Sequence, residues 1–137
     1  MTPHLPFAFN TGVPGTVLLV DDDDSVRMYC QHVLELNGWT VLSAANGRAA
    51  IRLAETHGSC VRLLITDVIM PGINGRELAE DLRRTHPSLR VLFISGFHED
   101  EMLQEGIDSN TVHFLPKPFR PDTLMWKVWE VLNDGNR

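Results

Sequence analysis

Five short apolar and β-branched runs recur along this chain, each separated from the next by a stretch with helical period. They are TVLLV at 16–20, WTVLSA at 39–44, a run at 61–66, VLFI at 91–94 and VHFL at 112–115. Runs this short, rich in Val, Leu and Ile and bounded by turn residues, read as buried strands. Between them apolar residues return every three or four positions. Asp24 or Ser25 caps a first helix reaching about Asn37, with Val26, Cys30, Val33 and Leu34 inward, and Gly38 ends it. Asn46-Gly47 opens a second helix, with Ala50, Leu53 and Ala54 inward, that ends near Gly58. The third runs from Gly75 to Thr85 with Leu78 and Leu82 inward, and Pro87 stops it. A short acidic fourth helix covers Glu99 to about Glu105, and Pro121 starts the last one from a first-turn position.

Strands that alternate with helices imply βαβ units with right-handed crossovers. The expected fold class is α/β, a five-stranded parallel sheet wound on both faces. The third run, read as apolar along its length, is expected to be central. A length of 137 residues suits one domain with a real core. Residues 1–15 hold three prolines and two glycines without a period, and read as a flexible leader or linker in which Phe7 and Phe9 could dock. The folded domain is expected over 16–134, with 135–137 as a tail.

Several function classes are disfavoured. The net charge of −6 argues against direct nucleic-acid binding. No apolar run approaches a membrane span, and the N-terminus lacks the basic start and apolar core of a signal peptide. Cys30 and Cys60 both fall in apolar-periodic segments and read as buried, reduced thiols. A cytoplasmic domain without membrane contact is the expectation.

Ligands of open α/β sheets bind beyond the carboxyl ends of the strands. Asp21 and Asp22 end the first strand, Asp67 the third and Ser95 the fourth, and Lys117 follows the fifth. Adjacent carboxylates repel, and a cation relieves the repulsion. A hard-oxygen site of few carboxylates completed by water suits Mg²⁺, with Mn²⁺ as a substitute. Asp67 could also attack phosphorus, with the metal shielding it from the incoming phosphoryl oxygens. Taken alone, Ser95 is as readily a turn cap, Lys117 a solvated lysine and Asp24 a helix cap. Together, the acidic strand ends and the lysine make a phosphoryl site. Lys117-Pro118 is a candidate cis bond that would help to aim the ammonium.

The segments VLLVDDDDSVR, LLITDVIMPGINGREL, VLFISGF and FLPKPFRPDTL make the chain resemble the receiver domains of two-component response regulators over roughly residues 15–133. The wording of ISGF and FLPKPF is most similar to receivers of hybrid histidine kinases or single-domain regulators. The resemblance implies a flavodoxin-like (βα)5 sandwich and a phosphoacceptor rather than an enzyme. It implies Asp67 as the acceptor. It also implies Mg²⁺ ligation by Asp22, Asp67 and the backbone carbonyl of Ile69, with Asp21 acting largely through water. Ser95 matches the family's switch residue and Lys117 its phosphate-pairing lysine. Phe114 stands where an aromatic ring swings inward on phosphorylation, although a plain core aromatic reads equally well. The implied donor is a histidine kinase or a histidine phosphotransfer protein. The readout would be the face of the fourth helix, fifth strand and last helix, where this family also often dimerises.

Two departures from the common pattern stand out. Ile69, two residues after Asp67, and Phe97, two after Ser95, are apolar where a polar group often orients water. Slow hydrolysis of the aspartyl phosphate is therefore expected. Gly96 leaves an open approach to the phosphate. In the last helix Leu124, Val128, Val131 and Leu132 form the inner face, while Trp126 points nearly opposite and Trp129 lies on the flank. The tryptophans either lie flat on the surface or form an interface with a partner or a second copy. The six histidines show no metal-ligand spacing, and His113 reads as a strand-edge residue. The rival reading is an aspartate-nucleophile phosphohydrolase, with Asp21 and Asp23 as its D-x-D strand end and Asp21 as nucleophile. The chain is short for such an enzyme, and no second acidic pair follows Lys117.

Overall fold

The structure, a computed structural model, describes residues 15–96, 99–108 and 112–134. The expected leader, apart from Gly15, the tail at 135–137 and Phe97 lie outside the described residues. The strands are β1 (Thr16–Val20), β2 (Thr40–Ala44), β3 (Val61–Asp67), β4 (Arg90–Ser95) and β5 (Phe114–Pro116). The helices are α1 (Asp24–Leu36), α2 (Gly47–His57), α3 (Gly75–Thr85), α4 (Glu99–Gln104) and α5 (Pro121–Asn133). A 3-10 turn, Gly58–Cys60, leads into β3. All pairings are parallel, in the order β2-β1-β3-β4-β5. The chain steps outward from β1 to β2, then returns across β1 to β3. The crevice above β1 and β3 is thus a topological switch point, where such sheets bind ligands.

Strand alternation divides the core in two. Leu18, Val20, Leu64, Val91 and Phe93 pack with Ala50, Ala54, Leu78 and Leu82 of α2 and α3. Val17, Leu19, Leu63, Ile65, Leu92 and Ile94 pack with Cys30, Val33 and Leu34 of α1 and with Leu124, Val128 and Val131 of α5. A strand buried on both faces needs apolar residues at successive positions, which is why β3 is central.

Helix starts are fixed by side chains that satisfy orphan amides. Asp23, rather than Asp24 or Ser25, caps α1: its Oδ1 accepts from the amides of Ser25 at 2.9 Å and Val26 at 3.2 Å. Asp24 falls inside the first turn, where its charge suits the helix dipole. Asn46 caps α2, and Asn74 caps α3 in a reciprocal box with Glu77. Gly38 leaves α1 with φ +91°, a left-handed conformation suited to glycine.

Three further expectations are corrected. β5 begins at Phe114, not Val112. Its pairing with β4 runs from Phe93 N–H donating to the His113 carbonyl up to Lys117 N–H donating to the Ser95 carbonyl. The buried face of α5 includes Met125, and Leu132 is only half-buried. Cys60 is exposed, because the 3-10 turn that carries it lies outside the α2 period.

Cys30 is fully enclosed, and burial pushes its thiol from 9.0 up to about 12, with the negative charge of Asp21 adding and Lys117 opposing. The thiolate is the reactive form, so Cys30 is inert in the folded chain. A maleimide at pH 7 should modify the native protein once, at Cys60, and the denatured protein twice, as read by intact mass.

Candidate functional site

The end of β3 delivers Asp67 to the crevice with both carboxylate oxygens assigned. Oδ1 accepts from the Val68 amide at 2.9 Å. Oδ2 faces the Lys117 ammonium at 3.4 Å. The backbone behind Asp67 is packed as tightly. The Gly75 amide donates to the Val68 carbonyl at 2.8 Å, and a Cβ on Gly75 would collide with the Asp67 carbonyl oxygen. Only glycine lets the start of α3 come this close.

Asp21, at the end of β1, is fully buried. Its Oδ1 accepts from the Asp23 amide at 2.9 Å. Its Oδ2 lies 2.9 Å from Lys117 Nζ, yet has no well-aligned hydrogen bond. The contact is therefore an ion pair rather than a directed bond. Asp22 is exposed beside them. Asp21, Asp22 and Asp67 each present a carboxylate oxygen within 4.8 Å of the others. Ser95 ends β4 fully buried, and Lys117 reaches in from beyond β5 with its side chain 18% exposed. The Lys117-Pro118 peptide is cis, as its turn position suggested.

Charge balance in the crevice is negative. Burial, then the charge of Asp21, push the Asp67 carboxyl from 3.8 up to about 7, against the opposing pull of Lys117 and the Val68 amide. Lys117 is held above its usual value. Burial acts to lower it, but the close contact with Asp21 and the charges of Asp67 and Asp21 prevail. Lys117 lies closer to Asp21 than to Asp67, so it under-compensates Asp67. A poorly satisfied buried oxygen, an exposed carboxylate and an under-compensated one make a set of hard donors that fits a divalent cation.

The structure thus gathers Asp21, Asp22, Asp67, Ser95 and Lys117 at one end of the sheet. The side chain of Ile69 is half-buried against the α2–α3 core. Phe114 is half-buried on the same face and pairs with Phe93 in register. Trp126 and Trp129 lie apart on α5, in edge-to-face contact at 5.4 Å, with Trp126 52% exposed. They line a shallow groove of about 280 Å³ with Thr123, Lys127 and Glu130.

Sequence reasoning passed over two residues beside the site. Arg27 donates to the Asp21 carbonyl at 2.7 Å, and Tyr29 OH donates to the Phe119 carbonyl at 2.9 Å. Both residues stand in plain view on α1, but the carbonyls they reach, one six residues back and one ninety residues on, are not visible in the sequence.

The family model for the response regulator receiver domain matches residues 17–128. Sensor kinase CckA of Brucella abortus (strain 2308) is 40% identical over 117 residues, covering 85% of this chain and 12% of the kinase. The crystal structure of the receiver domain from hybrid histidine kinase CckA is 38% identical with a TM-score of 0.73, covering 87% of this chain and 100% of that one. Chemotaxis protein CheY4 of Vibrio cholerae is 32% identical with a TM-score of 0.74, covering 85% of this chain and 97% of that one. The chain belongs to the response regulator receiver domain family and is a phosphoacceptor domain of two-component signalling. Receiver domains bind Mg²⁺ at an acidic cluster of this kind. The chain spans only 12%, 31% and 49% of the first three curated relatives it matches, which are longer proteins.

The raised Asp67 value carries a sign. The unfolded chain releases this proton near pH 4 and the folded chain near pH 7. Stability contributed at low pH is therefore lost as pH rises between those values. Urea denaturation without metal should show Asp67→Asn more stable than wild type at pH 8 by about 1–3 kcal/mol, with little difference at pH 4. Mg²⁺ should raise the wild-type melting temperature more at pH 8 than at pH 5.

Proposed function

We propose that Asp67 accepts a phosphoryl group from a phosphohistidine on a histidine kinase or a histidine phosphotransfer protein. The observation that carries this is the orientation of the carboxylate, Oδ1 pinned by the Val68 amide and Oδ2 turned toward Lys117. In the transfer an Asp67 oxygen bonds to phosphorus, the P–N bond breaks, and its electron pair returns to the imidazole nitrogen. Asp22, Asp67 and the Ile69 carbonyl would hold Mg²⁺, or Mn²⁺ in its place, with Asp21 acting through water. When bound, the ion supplies positive charge between the attacking carboxylate and the phosphoryl oxygens. Lys117 pairs with the new dianion, and Ser95 donates its hydroxyl to a phosphoryl oxygen.

The added charge is roughly −1.5 to −2 for ordinary phosphoryl groups. Drawing Ser95 and Lys117 toward it shifts the ends of β4 and β5, and with them α4 and Phe114. The α4-β5-α5 face is then the readout, a two-state element biased by a local charge. Phe114 suits this role because its half-buried ring already packs on the α3 side of the sheet. We read residues 16–134 as the whole receiver, a cytoplasmic domain belonging to a hybrid kinase or a single-domain regulator.

Intact mass after incubation with acetyl phosphate and Mg²⁺ tests the reading. Wild type should gain one phosphoryl group and Asp67→Asn none. Turnover of acetyl phosphate retained in the mutant would instead favour hydrolase chemistry at Asp21. The side chain of Ile69 brings no polar group to orient water, so the adduct should decay slowly. A half-life of seconds for the purified phosphoprotein would overturn that expectation.

Trp126 and Trp129 are the candidate contact for a second copy or a downstream partner, because exposed aromatics dominate interface energies. Trp126→Ala should weaken self-association of the phosphorylated protein at least fivefold by analytical ultracentrifugation, while leaving phosphorylation intact.

A further inference from the structure

The run Asp21–Asp24 places four carboxylates in succession, and the structure gives each a different fate. Asp21 is buried against Lys117, Asp23 caps α1 and Asp24 pairs with Arg27. Asp22 is exposed and has no hydrogen bond or ion pair among the described residues. Only its backbone can set the direction of its carboxylate.

That backbone is held at two points. The Asp21 amide donates to the Ala44 carbonyl of β2 at 3.2 Å. Arg27 Nη1 donates to the Asp21 carbonyl at 2.7 Å, and this carbonyl belongs to the peptide plane that leads into Asp22. Among the described residues, Arg27 is the one side chain that bonds this peptide. The guanidinium is itself fixed. Its Nη2 meets Asp24 Oδ1 at 2.6 Å, and the side chain is 17% exposed although it stands next to an acidic loop. A rigid fork with two acceptors in fixed directions is what guanidinium provides and ammonium does not.

We propose that Arg27 is a positioning residue for the cation site. It locks the Asp21–Asp22 peptide so that the Asp22 carboxylate points toward Asp67. The inference rests on the reading of Asp21, Asp22 and Asp67 as the Mg²⁺ site.

Two forces make opposite predictions for Arg27→Gln. By Coulomb's law alone, removing a positive charge beside a cation site tightens Mg²⁺ binding. Loss of positioning weakens it, as changes to groups that orient metal ligands commonly do by tenfold or more. A merely structural arginine would lower thermal stability and leave the affinity unchanged or tighter.

The test is titration calorimetry of Mg²⁺ into the purified, metal-free chain. Wild type should bind, and Asp22→Asn should bind far more weakly. If wild type does not bind, the reading of the site itself is wrong, whatever Arg27 does. Given wild-type binding, Arg27→Gln should weaken affinity about tenfold. Arg27→Lys, which keeps the charge and the aliphatic stem, should recover part of that loss. Saturating Mg²⁺ should restore acetyl-phosphate labelling of both variants to the wild-type extent. Affinity for Arg27→Gln equal to or tighter than wild type would overturn the proposal. Should Arg27→Gln fail to fold, Arg27→Lys decides the matter alone. Weaker binding than wild type then supports positioning, and equal or tighter binding refutes it.

Discussion

One ammonium serves two carboxylates in this crevice, and it does not serve them equally. Lys117 lies 2.9 Å from Asp21 and 3.4 Å from Asp67, and both acids are largely shut off from water. Inside a folded chain, charge without a full complement of partners is costly. The cost falls on Asp67, whose carboxyl is pushed up to about 7. The position that would carry the phosphoryl group is thus the one where the unmodified protein is least satisfied. A cation or a proton settles the imbalance, and competition between the two links stability to both pH and metal.

The fold holds that imbalance in place with apolar packing rather than with more polar bonds. β1 and β3 are buried on both faces, so Asp21 and Asp67 are fixed by strands that cannot slide without exposing Leu18, Leu19, Leu64 or Ile65. α3 closes in behind Asp67 because residue 75 is glycine, and Asn74 starts that helix through its reciprocal box with Glu77. Neighbouring groups extend the hold. Arg76 Nε donates to the Glu105 carbonyl at 2.9 Å, which ties the first turn of α3 to the end of α4. Tyr29 does the same between α1 and the segment after Lys117.

Most of this was legible in the sequence because the signals were local. The apolar runs gave the strands, Asn46-Gly47 and Pro121 marked two helix starts, and acidic residues at strand ends marked the crevice. What stayed hidden depends on where one peptide plane points. Asp23 rather than Asp24 caps α1 because the first helical turn already begins at Asp24, with the Asp23 carboxylate turned onto the amides of Ser25 and Val26. Cys60 read as buried because it falls in an apolar-periodic segment. It sits instead at the end of a 3-10 turn, which leaves it exposed. Val112 joined the strand pattern on composition, yet the pairing with β4 starts beyond it. Arg27 was passed over, since nothing local shows that a carbonyl six residues back turns toward it.

The division of Lys117 between two acids also bears on how a phosphoryl signal would leave the site. To pair with a new dianion on Asp67, the ammonium must give up part of its contact with Asp21. Asp21 Oδ2 has no well-aligned hydrogen bond to fall back on, so that step would strand a buried charge unless a cation or its water stands nearby. Metal and lysine therefore act as one electrostatic unit, and neither can be removed without changing the work asked of the other. The backbone after Lys117 is anchored through Phe119 to Tyr29, so the adjustment can be made largely by the lysine side chain. Gly96 follows Ser95, and among the described residues nothing lies within 4 Å of where its side chain would stand, which leaves that side of the approach to the phosphoryl group open. A dianion on Asp67 would therefore draw on both strand ends, Ser95 of β4 and Lys117 beyond β5.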